Sequence, residues 1–265
     1  MRLLEVVVGK RTLPEVVCAA FALAKKMGKV PVRSEVCKGF IANRIFSHYR
    51  KSFDYMMEDG ASPYQIDEAM RAFGFPAGPF QVMDMSGLDV GFSIRRNQAA
   101  TRDPRERYVD VADLVYQQGW LGQKNGLGFY RYEKGSSVGK PRPEVLALIG
   151  VVRETKNISP RSYDEAEIVR RYRAAMINEA AKVLAEGIAL RPLDIDVTFN
   201  LGFGFPRWRG GPMKYADEVG LNRIRDDLRQ LQEEDPFYWK AAALIERLAD
   251  EGRDFSSLNG PILHS

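Results

Sequence analysis

A chain of 265 residues with 45% hydrophobic side chains is long enough to form one or two domains with buried cores. Its 39 lysine and arginine residues exceed its 35 aspartate and glutamate residues by four. Both signs are mixed along the chain, which disfavours nucleic acid as a partner. Two cysteines are too few for a disulfide framework, and no run approaches the about 20 apolar residues that span a bilayer. We therefore expect a globular, cytoplasmic protein without a membrane span.

The first 35 residues have the pattern of a parallel α/β sheet. Leu3–Val8 is apolar without alternation, as in a strand that is covered on both faces. Thr12 can cap a helix that ends at Gly28, and a second short strand is predicted over Val30–Arg33. One such unit cannot bury its own faces, so residues 1–35 are interpreted as the remaining edge of a larger α/β domain.

From Gly39 onward the pattern is helical. Apolar residues recur about every four positions in a long helix that ends near Gly60. Ser62-Pro63 then begins a second helix that stops at Gly74, and a third helix follows Pro79.

The next stretch should add one or two helices between Gln98 and Gly119. A glycine-rich turn and a short extended segment are expected over Gly122–Tyr132. Residues 134–160 contain several glycines and prolines, which predicts a linker around a short helix at Glu144–Ile149.

The sequence repeats itself at a spacing of about 130 residues. The matched positions are Asp67 with Asp196, Gly74-Phe75-Pro76 with Gly204-Phe205-Pro206, Gly78-Pro79 with Gly211-Pro212, and Asp84-x-x-Gly87-Leu88 with Asp217-x-x-Gly220-Leu221. Two long copies predict a duplicated all-helical domain, over residues 36–133 and 161–258, rather than a solenoid.

Several common catalytic patterns are absent from the sequence. No G-x-G-x-x-G fingerprint occurs, so no loop of this chain is predicted to hold a dinucleotide pyrophosphate. The only histidines are His48 and His264, which excludes a histidine and cysteine metal cluster and a Ser-His-Asp triad.

Motifs of another kind run along the whole chain. In the first half they are Met1-Arg2-Leu3-Leu4-Glu5-Val6-Val7, Gly39-Phe40-Ile41-Ala42-Asn43-Arg44, Gly78-Pro79-Phe80 with Asp84 and Gly87-Leu88-Asp89, and Gly122-Gln123-Lys124-Asn125-Gly126 with Gly128-Phe129-Tyr130. In the second half they are Asn178-Glu179-Ala180, Arg191-Pro192 with Asp194-Ile195-Asp196, and Arg209-Gly210-Gly211-Pro212. In this order they resemble the 3-hydroxyacyl-CoA dehydrogenase family, and the second set is similar to the second helical copy of its multifunctional β-oxidation members.

The resemblance implies a mainly α-helical fold. A remnant of a Rossmann sheet edge is followed by two tandem helical C-terminal domains of the family, packed on each other as an internal pseudo-dimer. It also implies an acyl-CoA substrate and an oxidoreductase function in fatty acid degradation. A homo-oligomer or a complex with a thiolase is a further expectation.

Three site residues follow from the resemblance. Glu5 matches the glutamate that orients the catalytic histidine, and Asn43 matches the asparagine that binds the substrate's 3-oxygen. Lys124 matches a lysine that reaches the NAD cofactor. The alternatives are a charged strand end for Glu5, a local helix-start bond for Asn43 and an ordinary surface position for Lys124. In the second copy the Asn43 position falls near Tyr172, so the site is not duplicated.

The position of the family's catalytic histidine would fall before Met1. Without that base and without a glycine-rich loop, the chain alone is not expected to bind NAD or to be active. The competing hypothesis is a non-catalytic acyl-CoA-binding or assembly module.

Overall fold

The structure of the chain is a computed structural model that describes residues 1–260. Within that range it contains twelve α-helices and four short strands, which confirms the mainly α-helical fold class. His264 lies outside the described residues.

The elements follow one another from the amino-terminal strand to a final 3₁₀ turn. The strands are β1 (Leu3–Val8), β2 (Val30–Glu35), β3 (Tyr130–Tyr132) and β4 (Gly139–Pro141). The first seven helices are α1 (Pro14–Lys26), α2 (Ala42–Asp59), α3 (Pro63–Phe73), α4 (Pro79–Ser86), α5 (Leu88–Gln98), α6 (Val111–Gln117) and α7 (Pro143–Thr155). The remaining helices are α8 (Glu165–Ala185), α9 (Pro192–Gly202), α10 (Pro212–Val219), α11 (Leu221–Gln232) and α12 (Ala243–Asp250).

The chain divides into two compact units. The terminal unit comprises Met1–Tyr49 and the residues from Arg173 onward, and the central unit comprises Arg50–Tyr172. The division falls within α2 and within α8. Each unit is therefore built from parts of both sequence copies.

In the terminal unit, β1 and β2 pair in parallel, with Leu3 opposite Val30 and Val8 opposite Glu35. Both strands contact α1 and also α9, a helix of the second copy. The prediction that Thr12 caps α1 was wrong. Leu13 occupies the cap position, and the Thr12 hydroxyl instead accepts a hydrogen bond from the backbone N–H of Gly9 at 3.0 Å.

In the central unit, Ser62 caps α3 as predicted, because its side chain accepts the backbone N–H of Gln65 at 3.0 Å. The helix predicted at Glu144–Ile149 is longer, because α7 continues to Thr155. Its buried face extends through Val152, and Arg153 donates to the carbonyl oxygens of the last turn of α2. Strand β4 pairs antiparallel with β3 just before this helix.

A buried aromatic cluster joins the first turns of α8 to the first copy within the central unit. Tyr172 is fully buried. Its ring stacks on Phe53 at a centroid distance of 5.7 Å and meets Phe73 and Phe75 edge-on at 5.6 and 5.7 Å. Tyr172, near which the sequence places the counterpart of Asn43, is thus a packing residue.

In each copy a buried aspartate holds the start of the following helix. Asp67 accepts the backbone N–H groups of Phe80 and Gln81 at 2.8 and 2.9 Å. Asp196 accepts those of Met213 at 2.7 Å and Lys214 at 3.2 Å. We call these two arrangements the helix-start clamps.

A second aspartate in each copy holds the segment that closes it. Asp84 accepts the backbone N–H groups of Phe129 and Tyr130, and Asp217 accepts those of Phe255 and Ser256. We call these the closing clamps. The repeated aspartates of the sequence are therefore structural acceptors that bind backbone N–H groups at equivalent positions in both copies.

The clamps predict that stability falls as pH rises. Burial raises the pKa of Asp67 and Asp84 to about 6 and that of Asp196 to about 7. Because these values exceed the value near 4 that is usual in an unfolded chain, the folded state binds the protons more tightly. The stabilising contribution of these three carboxyl groups is present at low pH and is lost as pH rises through their folded-state pKa values of about 6 to 7. We expect the free energy of unfolding in urea to fall between about pH 4.5 and pH 7.5.

Asp196→Asn should reduce the pH dependence, and Asp103→Asn is its control. Asp103 is half-buried, and the hydrogen bonds from Arg105 lower its pKa to about 2, so it stays ionised throughout the range. An unchanged slope in Asp196→Asn would contradict this assignment of the titrating groups.

Candidate active site

Glu5 lies in the middle of β1 and reaches the start of α2. Its Oε1 accepts the backbone N–H groups of Ile41 at 3.0 Å and Ala42 at 3.3 Å. The helix N-terminus stabilises the carboxylate, although partial burial has the larger effect and raises the pKa of Glu5 above its usual value. The carboxylate thus connects the strand to the helix that carries Asn43.

Glu5 uses only one of its oxygens in these two bonds. The clamp aspartates Asp67 and Asp84 each use both oxygens. Among the described residues, Glu5 Oε2 has no hydrogen-bond donor. It is available to a donor such as an imidazole N–H.

The turn before α2 brings its first amides to Glu5. Gly39 and Phe40 have positive φ values of 86° and 51°, and the Phe40 value is uncommon for a residue with a side chain. A Cβ at Gly39 would lie 2.7 Å from the backbone nitrogen of Arg44, so only glycine fits there. This turn explains the glycine of the Gly39-Phe40 motif.

Asn43 is in the first turn of α2 and is exposed. No hydrogen bond is made by its side chain within residues 1–260. The structure therefore places the two predicted residues of the terminal unit at one helix start, with Glu5 bound to Ala42 and Asn43 directly after it. The local helix-start bond that was the alternative for Asn43 is absent from the described residues.

The helix start is also held from the second copy, by an ion-pair network that sequence reasoning missed. Arg44 Nε donates to Glu179 at 2.8 Å, and the two terminal guanidinium nitrogens of Arg44 bind the carboxylate of Glu186 at 2.5 and 2.7 Å. Glu179 is buried, and these contacts raise the pKa of Arg44 above its usual range. A two-pronged pair of this kind fixes direction as well as distance.

Neighbours of Glu179 hold it in place. Asn178 receives the backbone N–H of Ala242 at 2.8 Å and donates to the carbonyl of Lys240 at 2.9 Å. His48 Nδ1 lies 3.7 Å from Glu179, and its ring stacks on Tyr238. The Asn178-Glu179 motif is therefore a support for α2.

Lys124 lies in the central unit, on a 3₁₀ turn. Its ammonium group is 2.5 Å from Asp89, at the first turn of α5, and both side chains are exposed. The hydrogen bond that Lys124 donates lowers the pKa of Asp89 below its usual value. The structure thus shows a surface ion pair at the predicted cofactor contact.

Residues 1–260 contain no cluster of three or more potential metal ligands, and no helix in that range is long and apolar enough to cross a bilayer.

The family comparison matches the chain twice. The family described as 3-hydroxyacyl-CoA dehydrogenase, C-terminal domain, matches residues 39–132 and again residues 168–255. Two matches to one domain account for the repeat seen in the sequence.

Curated relatives align with most of this chain. A peroxisomal bifunctional enzyme of Danio rerio is 42% identical over 240 residues, which is 86% of this chain and 33% of the relative. A fatty acid oxidation complex subunit alpha of Psychrobacter sp. (strain PRwf-1) is 36% identical over 225 residues, or 84% and 31% of the two chains. The chain thus spans about a third of the length of these relatives.

Solved structures agree with the fold. The dehydrogenase part of multifunctional enzyme 1 from C. elegans matches with a TM-score of 0.71 at 25% identity, covering 93% of this chain and 56% of that one. The 3-hydroxybutyryl-CoA dehydrogenase of Escherichia coli K12 matches with a TM-score of 0.74 at 24% identity, covering 97% and 68%. At that identity the second likeness shows the fold alone.

Together these findings define the class of the protein by a duplicated helical domain of one family. The chain belongs to the 3-hydroxyacyl-CoA dehydrogenase family, which confirms the resemblance read from its motifs.

The Arg44 network should contribute measurably to stability. Breaking a buried ion pair costs about 3 to 5 kcal/mol, but Lys182 stays 3.5 Å from Glu179 and partly compensates it. We expect Arg44→Met to lower the free energy of unfolding by about 2 kcal/mol. Arg105→Met, which removes an exposed pair with Asp103, should change it by less than about 1 kcal/mol. Equal effects of the two changes in urea titrations would show that the network does not hold α2.

Proposed function

We propose that this chain supplies the substrate side of an NAD-dependent 3-hydroxyacyl-CoA dehydrogenase of fatty acid β-oxidation, which oxidises 3-hydroxyacyl-CoA to 3-oxoacyl-CoA. The observation that carries the proposal is the Glu5 carboxylate bound through one oxygen to the helix start that presents Asn43. The relatives named as a bifunctional enzyme and a fatty acid oxidation complex subunit support the same pathway.

The two residues have separate parts in this scheme. Asn43 donates its amide N–H to the 3-oxygen of the substrate. The amide is uncharged, so it stabilises that oxygen without transferring a proton to it. Glu5 receives an imidazole N–H at Oε2, fixes the tautomer of that histidine and stabilises its protonated form. Since His48 lies beside Glu179 and Tyr238, we propose that the base comes from a segment outside this sequence.

NAD would accept the hydride that leaves the substrate carbon. The residues present do not form its site, because the sequence has no G-x-G-x-x-G loop and the parallel sheet of the described residues has two strands. Lys124 is kept as the proposed cofactor contact, and it would have to leave Asp89 to make it.

The second candidate function is a non-catalytic acyl-CoA-binding or assembly module. It is favoured by the second copy, which keeps the clamps of Asp196 and Asp217 but has Tyr172 packed in the aromatic cluster. The internal pseudo-dimer is supported by contacts between α2 and α8 inside each unit. A cytoplasmic location, a homo-oligomer and a thiolase complex stay predictions. The Danio rerio relative is named as peroxisomal.

We predict that the chain alone shows no saturable NADH binding. Fluorescence titration would test this, because bound NADH changes its emission. The comparison is the same chain joined behind an NAD-binding domain of a 3-hydroxyacyl-CoA dehydrogenase, which we call the joined enzyme and which should bind NADH. Micromolar affinity of the chain alone would refute the prediction.

Asn43→Ala in the joined enzyme should reduce kcat with acetoacetyl-CoA and NADH by about 10²- to 10³-fold, because a donor that strengthens in the transition state is lost. Tyr172→Ala is the control and should lower the melting temperature while sparing kcat. Normal turnover in a correctly folded Asn43→Ala enzyme would contradict the assigned role. An inactive joined enzyme that still binds acyl-CoA would favour the non-catalytic module.

A further inference from the structure

The two copies differ in the loop that leads into the clamped helix. In the first copy, Pro76 and Pro79 are separated by two residues, whereas in the second copy Pro206 and Pro212 are separated by five. Each loop ends at a helix-start clamp of the same form, made by Asp67 in the first copy and by Asp196 in the second. The three additional residues are therefore not needed for the clamp.

The longer loop forms a 3₁₀ turn over Arg207–Arg209, which we call the basic turn. Trp208 at its centre is 72% exposed. The guanidinium of Arg209 lies 4.0 Å from the centroid of the Trp208 ring and 5.1 Å from that of Tyr215. Because Arg209 lies over the ring and most of Trp208 remains exposed, the opposite face is open to solvent.

Basic residues flank Trp208 in the sequence, and Lys214 follows at the start of α10. Arg207 is exposed and forms no ion pair within residues 1–260, and Lys214 is exposed with its nearest carboxylate, that of Glu218, 3.9 Å away. The turn itself is fixed, because Asn200 Nδ2 donates to the carbonyl of Gly210 at 3.0 Å. An open aromatic face with the unpaired Arg207 next to it in the sequence, and with Lys214 in a long ion pair, matches a planar base attached to phosphates.

The basic turn follows the end of α9, which lies beside the candidate active site within the terminal unit. Phe203 contacts Phe46, one helical turn after Asn43, at a ring distance of 5.6 Å. A Cβ at Gly202 would lie 2.6 Å from a methyl group of Leu3, two residues before Glu5. A ligand that reaches Asn43 with one end can therefore extend along this side of the unit.

We propose that the basic turn binds the nucleotide end of a CoA thioester, with the adenine stacked on Trp208 and the phosphates bound by Arg207 and Lys214. The inference rests on the proposed function for the identity of the ligand, because a CoA thioester carries an adenine and several phosphates. It assigns the second copy a part in substrate binding that its clamps and packing do not require.

The test is calorimetric titration of the chain with CoA, pantetheine and NAD. We expect CoA to bind the chain and its Kd to rise about tenfold in Trp208→Ala and in Arg207→Ala, which remove the stacking surface and one cation. Arg105→Ala removes one exposed cation elsewhere, and Trp120→Phe changes the other tryptophan that lies under an arginine, so both should leave the Kd unchanged. Melting curves confirm that each variant is folded.

Several outcomes would overturn the proposal. Two of them are no CoA binding at millimolar concentration and an unchanged Kd for CoA in Trp208→Ala. A third is a loss of pantetheine affinity in Trp208→Ala equal to that of CoA, because pantetheine lacks the nucleotide. The fourth is NAD binding that depends on Trp208 as strongly as CoA binding does. Self-association that is lost in Trp208→Ala while CoA affinity is retained would make the turn an interface between copies instead. The proposed function fails separately, because an inactive joined enzyme whose CoA binding depends on Trp208 refutes only that function.

Discussion

One constraint applies in both copies: the first backbone N–H groups of a helix without a side-chain cap need a hydrogen-bond acceptor from elsewhere in the chain. Helices α4 and α10 begin with proline behind Gly78 and Gly211, so their first N–H groups have no local partner. Asp67 and Asp196 supply the acceptor from the preceding helix. The glycines are required because a Cβ at either one would lie within 2.4 Å of the aspartate side chain. Each clamp thereby fixes the approach of two helices.

Glu5 applies the same chemistry at the candidate active site, with a difference that matters for function. In a buried clamp such as that of Asp67, both carboxylate oxygens accept backbone N–H groups. Glu5 binds the start of α2 through Oε1 alone. Glu5 is also only partly buried. A carboxylate of this kind positions its helix and can still accept a donor from a second group.

Local chemistry was predictable from the sequence, and contacts between distant residues were not. Ser62 before Pro63 specifies its own cap, and the apolar run Leu3–Val8 specifies a strand. Thr12 also matched a cap pattern, but its hydroxyl satisfies Gly9. The repeat identified Asp67 and Asp196 as a pair, yet their partners lie 13 and 17 residues away and follow only from the folded chain. The Arg44 to Glu179 pair spans 135 residues, and no spacing rule encodes it.

The divergence of the two copies follows from which interactions serve packing and which serve chemistry. Both copies keep the clamps, because losing either one would leave buried helix-start donors unsatisfied. In the first copy, the helix start that carries the exposed Asn43 is bound by Glu5, a carboxylate from the preceding strand. The second copy instead directs Glu179 and Glu186 at Arg44, the residue after Asn43. Because that ion pair and the Glu5 bonds meet at one helix start, residues of the second copy hold the turn of α2 that carries Asn43.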